Sequence, residues 1–312
     1  MTGSDAAMAG TAQTLAPRLL ATVAAASVAE TATFPVDIVK TRLQLQGEMQ
    51  QGGQSIGAFK IAARVCRQEG LAGLYTGLKP AVIRHIPYSG TRILVFESLR
   101  NRLDGKLTPG SGLAVAAKMS MGLTAGAIGQ LIAVPADLVK VRMQGDGRLV
   151  ASGQLSAPRY NGFLHALITI VKQEGGVLGL WRGAAPAVQR AALVNLGELV
   201  TYDLAKTHLV EAGVLGDSRS LAVHVGSSIC SGLVAGIVST PADVVKTRMM
   251  NQNPTNPLYR GSFDCLGKSF HAEGLKGLYK GFFPTWARLG PWQMAFWVTY
   301  EQLRVWSGAG AF

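Results

Sequence analysis

The chain has 312 residues, 48% hydrophobic and only 15% charged, with 38 glycines and a net charge of +12. Low charge, many small residues and a mean hydropathy of +0.23 point to closely packed membrane helices, and the charge leaves nucleic acid, anionic lipid or an anionic substrate as partners. No long Lys/Arg run supports nucleic acid, and the isolated Cys66, Cys230 and Cys265 form neither a disulfide framework nor a zinc set.

In chain order, residues 1–14 form an N-terminal tail. Residues 1–17 hold no Lys or Arg, so they match neither a secretory signal nor an Arg-rich transit peptide. A long apolar helix is predicted from Leu15 to Gln46, kinked at Pro35, followed by a polar loop from Gly47 to Gln54. A short amphipathic helix covers Ala58 to Gln68, with Lys60, Arg64 and Arg67 on a basic face suited to anionic head groups. A glycine-rich turn from Glu69 to Gly77 precedes a second long helix, Pro80 to Leu103. The second unit predicts helices at Leu113–Gln144, Gly162–Gln173 and Pro186–Val210, with a loop from Gly145 to Pro158. The third predicts Leu221–Met250, Ser262–Ala272 and Pro284–Trp306, with a loop from Asn251 to Leu258. The connectors are Asp104 to Gly112 and Glu211 to Ser218.

These units are one pattern written three times. Pro-x-Asp-x-x-Lys-x-Arg stands at Pro35–Arg42, Pro135–Arg142 and Pro241–Arg248. The fold expected is therefore all-α and membrane-embedded. It has six transmembrane helices in three pseudo-symmetric repeats (15–108, 109–215 and 216–312, one structural domain), plus three short amphipathic helices. Asp and Lys three apart lie on one helix face. Three copies allow each Asp to meet the Lys of the next repeat. Gly122 and Gly126, in register with Ser228/Gly232 and Thr22/Ala26, predict close packing of the first helices of the repeats.

Gly-x-x-Pro-x-x-x-Arg also occurs three times and places Arg84, Arg190 and Arg288 at one level. Three like charges at that depth imply a water-filled cavity that receives an anion, since Arg holds carboxylates and phosphates bidentately. Each second helix ends in an aromatic-acid-x-x-base string: Phe96-Glu97…Arg100, Tyr202-Asp203…Lys206 and Tyr300-Glu301…Arg304. Symmetry breaks at Arg92, Glu198 and Phe296, and at Glu30, Gln130 and Gly236. Substrate-specific chemistry belongs at such positions, and Glu30 and Glu198 are candidate proton acceptors or Arg partners.

These motifs resemble the mitochondrial carrier family over nearly the whole chain. Leu193–Asp203, Tyr279–Trp292, Phe296-Trp297 and the 307–312 tail are similar to its uncoupling-protein subgroup, most closely the neuronal-type branch. The resemblance implies a multi-pass, monomeric carrier of the mitochondrial inner membrane. It implies a matrix gate of Asp37–Lys140, Asp137–Lys246 and Asp243–Lys40, braced by Gln44 and Gln144, with Met250 in the third place. It also implies a cytosolic gate of Glu97–Lys206, Asp203–Arg304 and Glu301–Arg100. Arg84, Arg190 and Arg288, with Gln189, fall on the substrate-binding positions. Glu30, Arg92, Glu198 and Trp292 fall on those tied to protons or an inhibitory purine nucleotide. Cardiolipin would bind at Gly73, Gly162, Gly179, Gly261 and Gly277. Repeat 1 departs here, with Ser55-Ile56-Gly57 in place of an aromatic-x-Gly. No cofactor or metal is implied.

The implied activity is alternating-access carriage of small anions, fatty-acid-dependent proton leak, or both. A dicarboxylate/oxoglutarate-type exchanger and a non-transporting scaffold or sensor are the alternatives. An enzyme is disfavoured: Gly267-Lys268-Ser269 ends like a phosphate-binding loop, but Ser262 stands where its first glycine is required. Protonation of Glu198 would free an Arg such as Arg92 for a phosphate, so nucleotide binding is expected to tighten as pH falls.

Overall fold

The computed structural model describes residues 3–45, 57–103, 112–151, 153, 155–211, 221–252 and 257–306, for some of these the backbone alone. Repeat 1 comprises α1 (Gly3–Gln44), α2 (Ala58–Gln68), α3 (Gly70–Gly73) and α4 (Leu78–Leu103). Repeat 2 comprises α5 (Gly112–Ala151), α6 (Phe163–Gln173), a 3-10 turn (Gly176–Trp181) and α7 (Ala184–Glu211). Repeat 3 comprises α8 (Leu221–Asn251), α9 (Ser262–Leu278) and α10 (Phe282–Trp306). Residues 19–44, 117–150 and 229–251 are each long and apolar enough to cross a membrane.

The six long helices close into a ring in chain order, α1–α4–α5–α7–α8–α10. Packing is most extensive between repeats, at α4/α5, α7/α8 and α10/α1. The predicted close approach at Gly122 and Gly126 is not where the helices meet. A Cβ on Gly122 would find open space, and one on Gly126 would meet only the Asn195 side chain at 3.6 Å. The tight contacts are Gly129 against the Tyr88 carbonyl (3.2 Å from an added Cβ) and Gly197 against the Ala235 backbone (2.9 Å). Small residues on neighbouring helices of adjacent repeats decide the packing, rather than the GxxxG face.

The apolar core is divided among the repeats, each wedged between an odd helix and its short helix. Phe34, Ile38, Ile61 and Val65 form one cluster. Leu138, Val139, Tyr160 and Ile170 form the second, which Met250 of repeat 3 joins. Val245, Met249, Tyr259 and Cys265 form the third. The second residue of each short helix, Phe59, Leu164 and Phe263, is exposed, as suits a helix lying at a membrane surface.

Two features differ from the sequence expectation. Helix α5 continues to Ala151, past the predicted end at Gln144. Asp146 is buried beside Arg159 and accepts its backbone N–H at 3.0 Å and its Nε at 2.8 Å. Arg148 donates to the Leu45 carbonyl at 2.5 Å, tying this extension to the end of α1. The extra residue in the repeat-2 turn is taken up by the 3-10 segment after Gly175. Helices α1, α5 and α8 run unbroken through Pro35, Pro135 and Pro241. Pro135 cannot donate to the Leu131 carbonyl four residues back; the Trp181 indole N–H takes its place at 2.9 Å. The predicted loop at 47–54 and the two connectors lie, wholly or largely, outside the described residues.

Candidate functional site

At about 100° per residue, the signature Asp and Lys face one side of a helix, and the Arg two residues on faces nearly the opposite side. The structure uses both sides. Inward, Lys140 lies 2.8 Å from Asp37, Lys246 lies 2.7 Å from Asp137 and Lys40 lies 2.5 Å from Asp243. Each Asp therefore pairs with the Lys of another repeat, and the three pairs close a ring.

The three Arg do not stand apart in an open cavity, as the sequence suggested. Each is paired to the second oxygen of a ring carboxylate. Arg288 Nη1 lies 2.7 Å from Asp37 Oδ1, Arg190 Nε 2.5 Å from Asp243 Oδ1 and Arg84 Nε 3.4 Å from Asp137 Oδ1. One oxygen of every Asp thus holds a Lys from one neighbouring repeat, and the other oxygen holds an Arg from the opposite neighbour. Physically, a buried carboxylate is costly unless all its lone-pair directions are served, and the unoccupied ring serves them with its own cations.

Glu30 adds a fourth carboxylate. It is 1% exposed, lies 2.8 Å from Lys140 and 3.5 Å from Arg288, and faces His85 Nε2 at 3.7 Å. Its counterpart Gln130 donates to Asp137 at 2.8 Å; its counterpart Gly236 packs on the Phe282 ring.

The outward Arg side chains were not singled out in the sequence. Arg42 pairs with Glu69, Arg142 with Glu174, and Arg248 with Glu273 at 2.6 Å. Arg248 also donates to Ser269, the serine of the failed phosphate-loop match, at 2.8 Å. The signal was available, because both the Arg and the Glu-Gly turn recur three times. Arg142 and Arg248 further donate to the Met250 and Gln44 carbonyls, at 3.1 and 3.3 Å, across repeat boundaries.

Gln44 and Gln144 do not brace the ion pairs. Among the described residues neither side chain bonds a ring Asp or Lys. They lie a full turn beyond the Lys, where each packs on the turn glycine of a neighbouring repeat: Gln44 on Gly281 and Gln144 on Gly77, with Met250 likewise on Gly183. Gln44 accepts the Thr247 hydroxyl at 2.8 Å.

At the opposite end, Arg100 and Glu301 are both exposed and form no ion pair among the described residues. Glu97 is half-buried. The side chains of Glu198, Asp203, Lys206 and Arg304 lie outside the described residues. Arg92 is exposed, with its Cβ against Gly129, and Gln189 is exposed. Trp292 stacks on Phe296 at 5.3 Å, which stacks on Tyr300 at 5.8 Å. Gly73, Gly179 and Gly277 lie against the turn residues Glu69, Glu174 and Glu273, while Gly162 and Gly261 are open at the N-termini of α6 and α9.

A membrane ring of three repeats, sealed at one level by charges that each repeat shares with its neighbours, has the form of a transporter's gate. The chain belongs to the mitochondrial carrier family: the family model for mitochondrial carrier protein matches residues 11–107, 111–213 and 217–309. It is 49% identical to mitochondrial uncoupling protein 3 of Arabidopsis thaliana, over 95% of each chain. It is 38% identical to kidney mitochondrial carrier protein 1 of Xenopus laevis, over 90% of this chain and 94% of the relative. It is 36% identical to mitochondrial uncoupling protein 4C of Drosophila melanogaster, over 97% and 91%. The chain is a multi-pass transporter of the mitochondrial inner membrane, of the uncoupling-protein type.

Proposed function

We propose that the chain carries small anions by alternating access, and that the shared Asp carboxylates couple anion binding to the gate. The observation that carries this is the double use of each Asp by a central Arg and a gating Lys. An anion arriving at Arg84, Arg190 and Arg288 draws them off the carboxylates. Each buried Asp then loses one of the two cations that offset its desolvation, so water entry, and with it ring opening, becomes more favourable. Six cations face only four carboxylates in the ring, a surplus that suits a doubly charged anion. Opening the ring lets Glu97, Arg100, Asp203, Lys206, Glu301 and Arg304 close the cytosolic end.

The same Arg set, with Arg92, Glu198 and Trp292, is proposed to hold an inhibitory purine nucleotide. Fatty acid is proposed as a second anion that supports proton leak, and cardiolipin as a lipid at the open N-termini of α6 and α9. The carrier acts as a monomer, with no catalytic step and no cofactor.

The test is a reconstituted-liposome panel of malate, aspartate, sulfate and phosphate uptake, with proton flux measured with and without fatty acid. Arg190→Ala and Arg288→Ala are expected to abolish uptake, since losing one charge-assisted contact costs about 1.5–3 kcal/mol of binding. Unchanged uptake in both variants would overturn the assignment.

A further inference from the structure

Repeat 1 carries a pair of titratable groups that the other repeats lack. Glu30 is matched by Gln130 and Gly236, and His85, which follows Arg84, is matched by Ala191 and Leu289. His85 is 5% exposed, and its Nε2 is buried without a hydrogen-bond partner. That nitrogen points at Glu30 Oε2 from 3.7 Å, a gap longer than a hydrogen bond. The same oxygen lies 3.5 Å from Arg288, and the other Glu30 oxygen lies 2.8 Å from Lys140. The charged groups around the pair are Asp37 on α1, Arg84 on α4, Lys140 on α5 and Arg288 on α10.

We propose that His85 and Glu30 together form a proton-binding site, and that an anion carried by this chain moves with a proton. This deepens the transport reading and rests on it. A buried imidazole with an unpartnered nitrogen facing a carboxylate is a place where one proton can be held. The proton sits on His85 Nε2 and is directed at Glu30 Oε2. It comes from water on the side to which the cavity is open and leaves to water on the other side; no bond but N–H forms or breaks. Its arrival turns Glu30 from Lys140 and Arg288 towards His85. The link between repeats 1 and 2 then rests on Asp37 alone, and Arg288 is freed for the anion. Because the pair is sealed while the ring is closed, the proton exchanges only as the ring opens, which ties its movement to a transport cycle.

The experiment uses the full chain in liposomes, with labelled malate, sulfate and phosphate as probes at equal pH and with the outside more acidic by one unit. Wild-type uptake is expected to rise several-fold with acid outside, and His85→Gln and Glu30→Gln to lose that response. A wild type indifferent to the gradient, or a His85→Gln variant that responds as wild type does, overturns the proposal. Thermal unfolding in detergent across pH 5.5–8 provides a readout independent of transport. The wild-type midpoint is expected to show a transition in the histidine range that His85→Gln lacks, and identical profiles count against the site. If no probe is taken up by the wild type, the transport reading fails, and the unfolding profiles still decide whether the pair binds a proton.

Discussion

Gly183 shows how a single residue holds two repeats together. Its φ of +86° lies in the left-handed region, and a Cβ there would stand 2.7 Å from Met250 Cγ of the next repeat. Gly77 and Gly281 repeat the arrangement against Gln144 and Gln44. A side chain at such a φ costs about 1–2 kcal/mol before any clash. Gly57 is the control: its φ is −70° and nothing lies within 4 Å of an added Cβ. Gly183→Ala is therefore expected to lower the thermal midpoint in detergent clearly, while Gly57→Ala stays within about 0.5 kcal/mol of wild type. Equal midpoints for the two variants would contradict the interlock. The recurrence of this glycine was legible in the sequence. Its contact was not, because Gly183 and Met250 are brought together only by the ring closing.

The signature helix is the element in which sequence and structure agree most closely, and the physical reason is its periodicity. Asp37, Lys40 and Arg42 are fixed on their faces by the helix itself, so the cross-repeat pairing of Asp and Lys could be read from spacing. The second partner of each Asp could not, because Arg84, Arg190 and Arg288 stand on other helices and reach the ring only when all six are assembled. The end of α5 was misread for a related reason: Asp146 holds a helical extension through Arg159, thirteen residues away, against local glycines that signal a loop. These extra partners refine the charge-reversal test. Asp137→Lys removes the partner of Lys246, Arg84 and Gln130 at once, and breaking a buried pair costs about 3–5 kcal/mol. Uptake is expected to fall to background. Adding Lys246→Asp is expected to restore only part of it, because Arg84 then faces the new lysine. Full rescue would show that Arg84 does not share the carboxylate, and no rescue in a folded double variant would dispute the pairing itself.

At the scale of the whole molecule, near-perfect threefold symmetry is broken around repeat 1 by Glu30 and His85, and around repeat 2 by the extended α5 and its clasp to Leu45. The symmetric part is the gate: each buried pair is offset by desolvation and so contributes little net stability, which leaves the ring strong in geometry yet open to competition from an anion. With Arg100 and Glu301 unpaired at the far end, the molecule stands closed at the ring. The central claim is that an anion reverses this. Its most direct test is a pair of distance measurements by electron spin resonance, in liposomes, with Cys66 and Cys230 replaced by serine. Labels at Lys60 and Lys172 report the end carrying the short helices, and labels at Arg102 and Gln302 report the opposite end, all four positions being exposed. On adding an anion that the panel shows to be carried, the first distance is expected to lengthen and the second to shorten in the same population of molecules. Two distances that stay fixed while the labelled protein still takes up that anion would contradict the account.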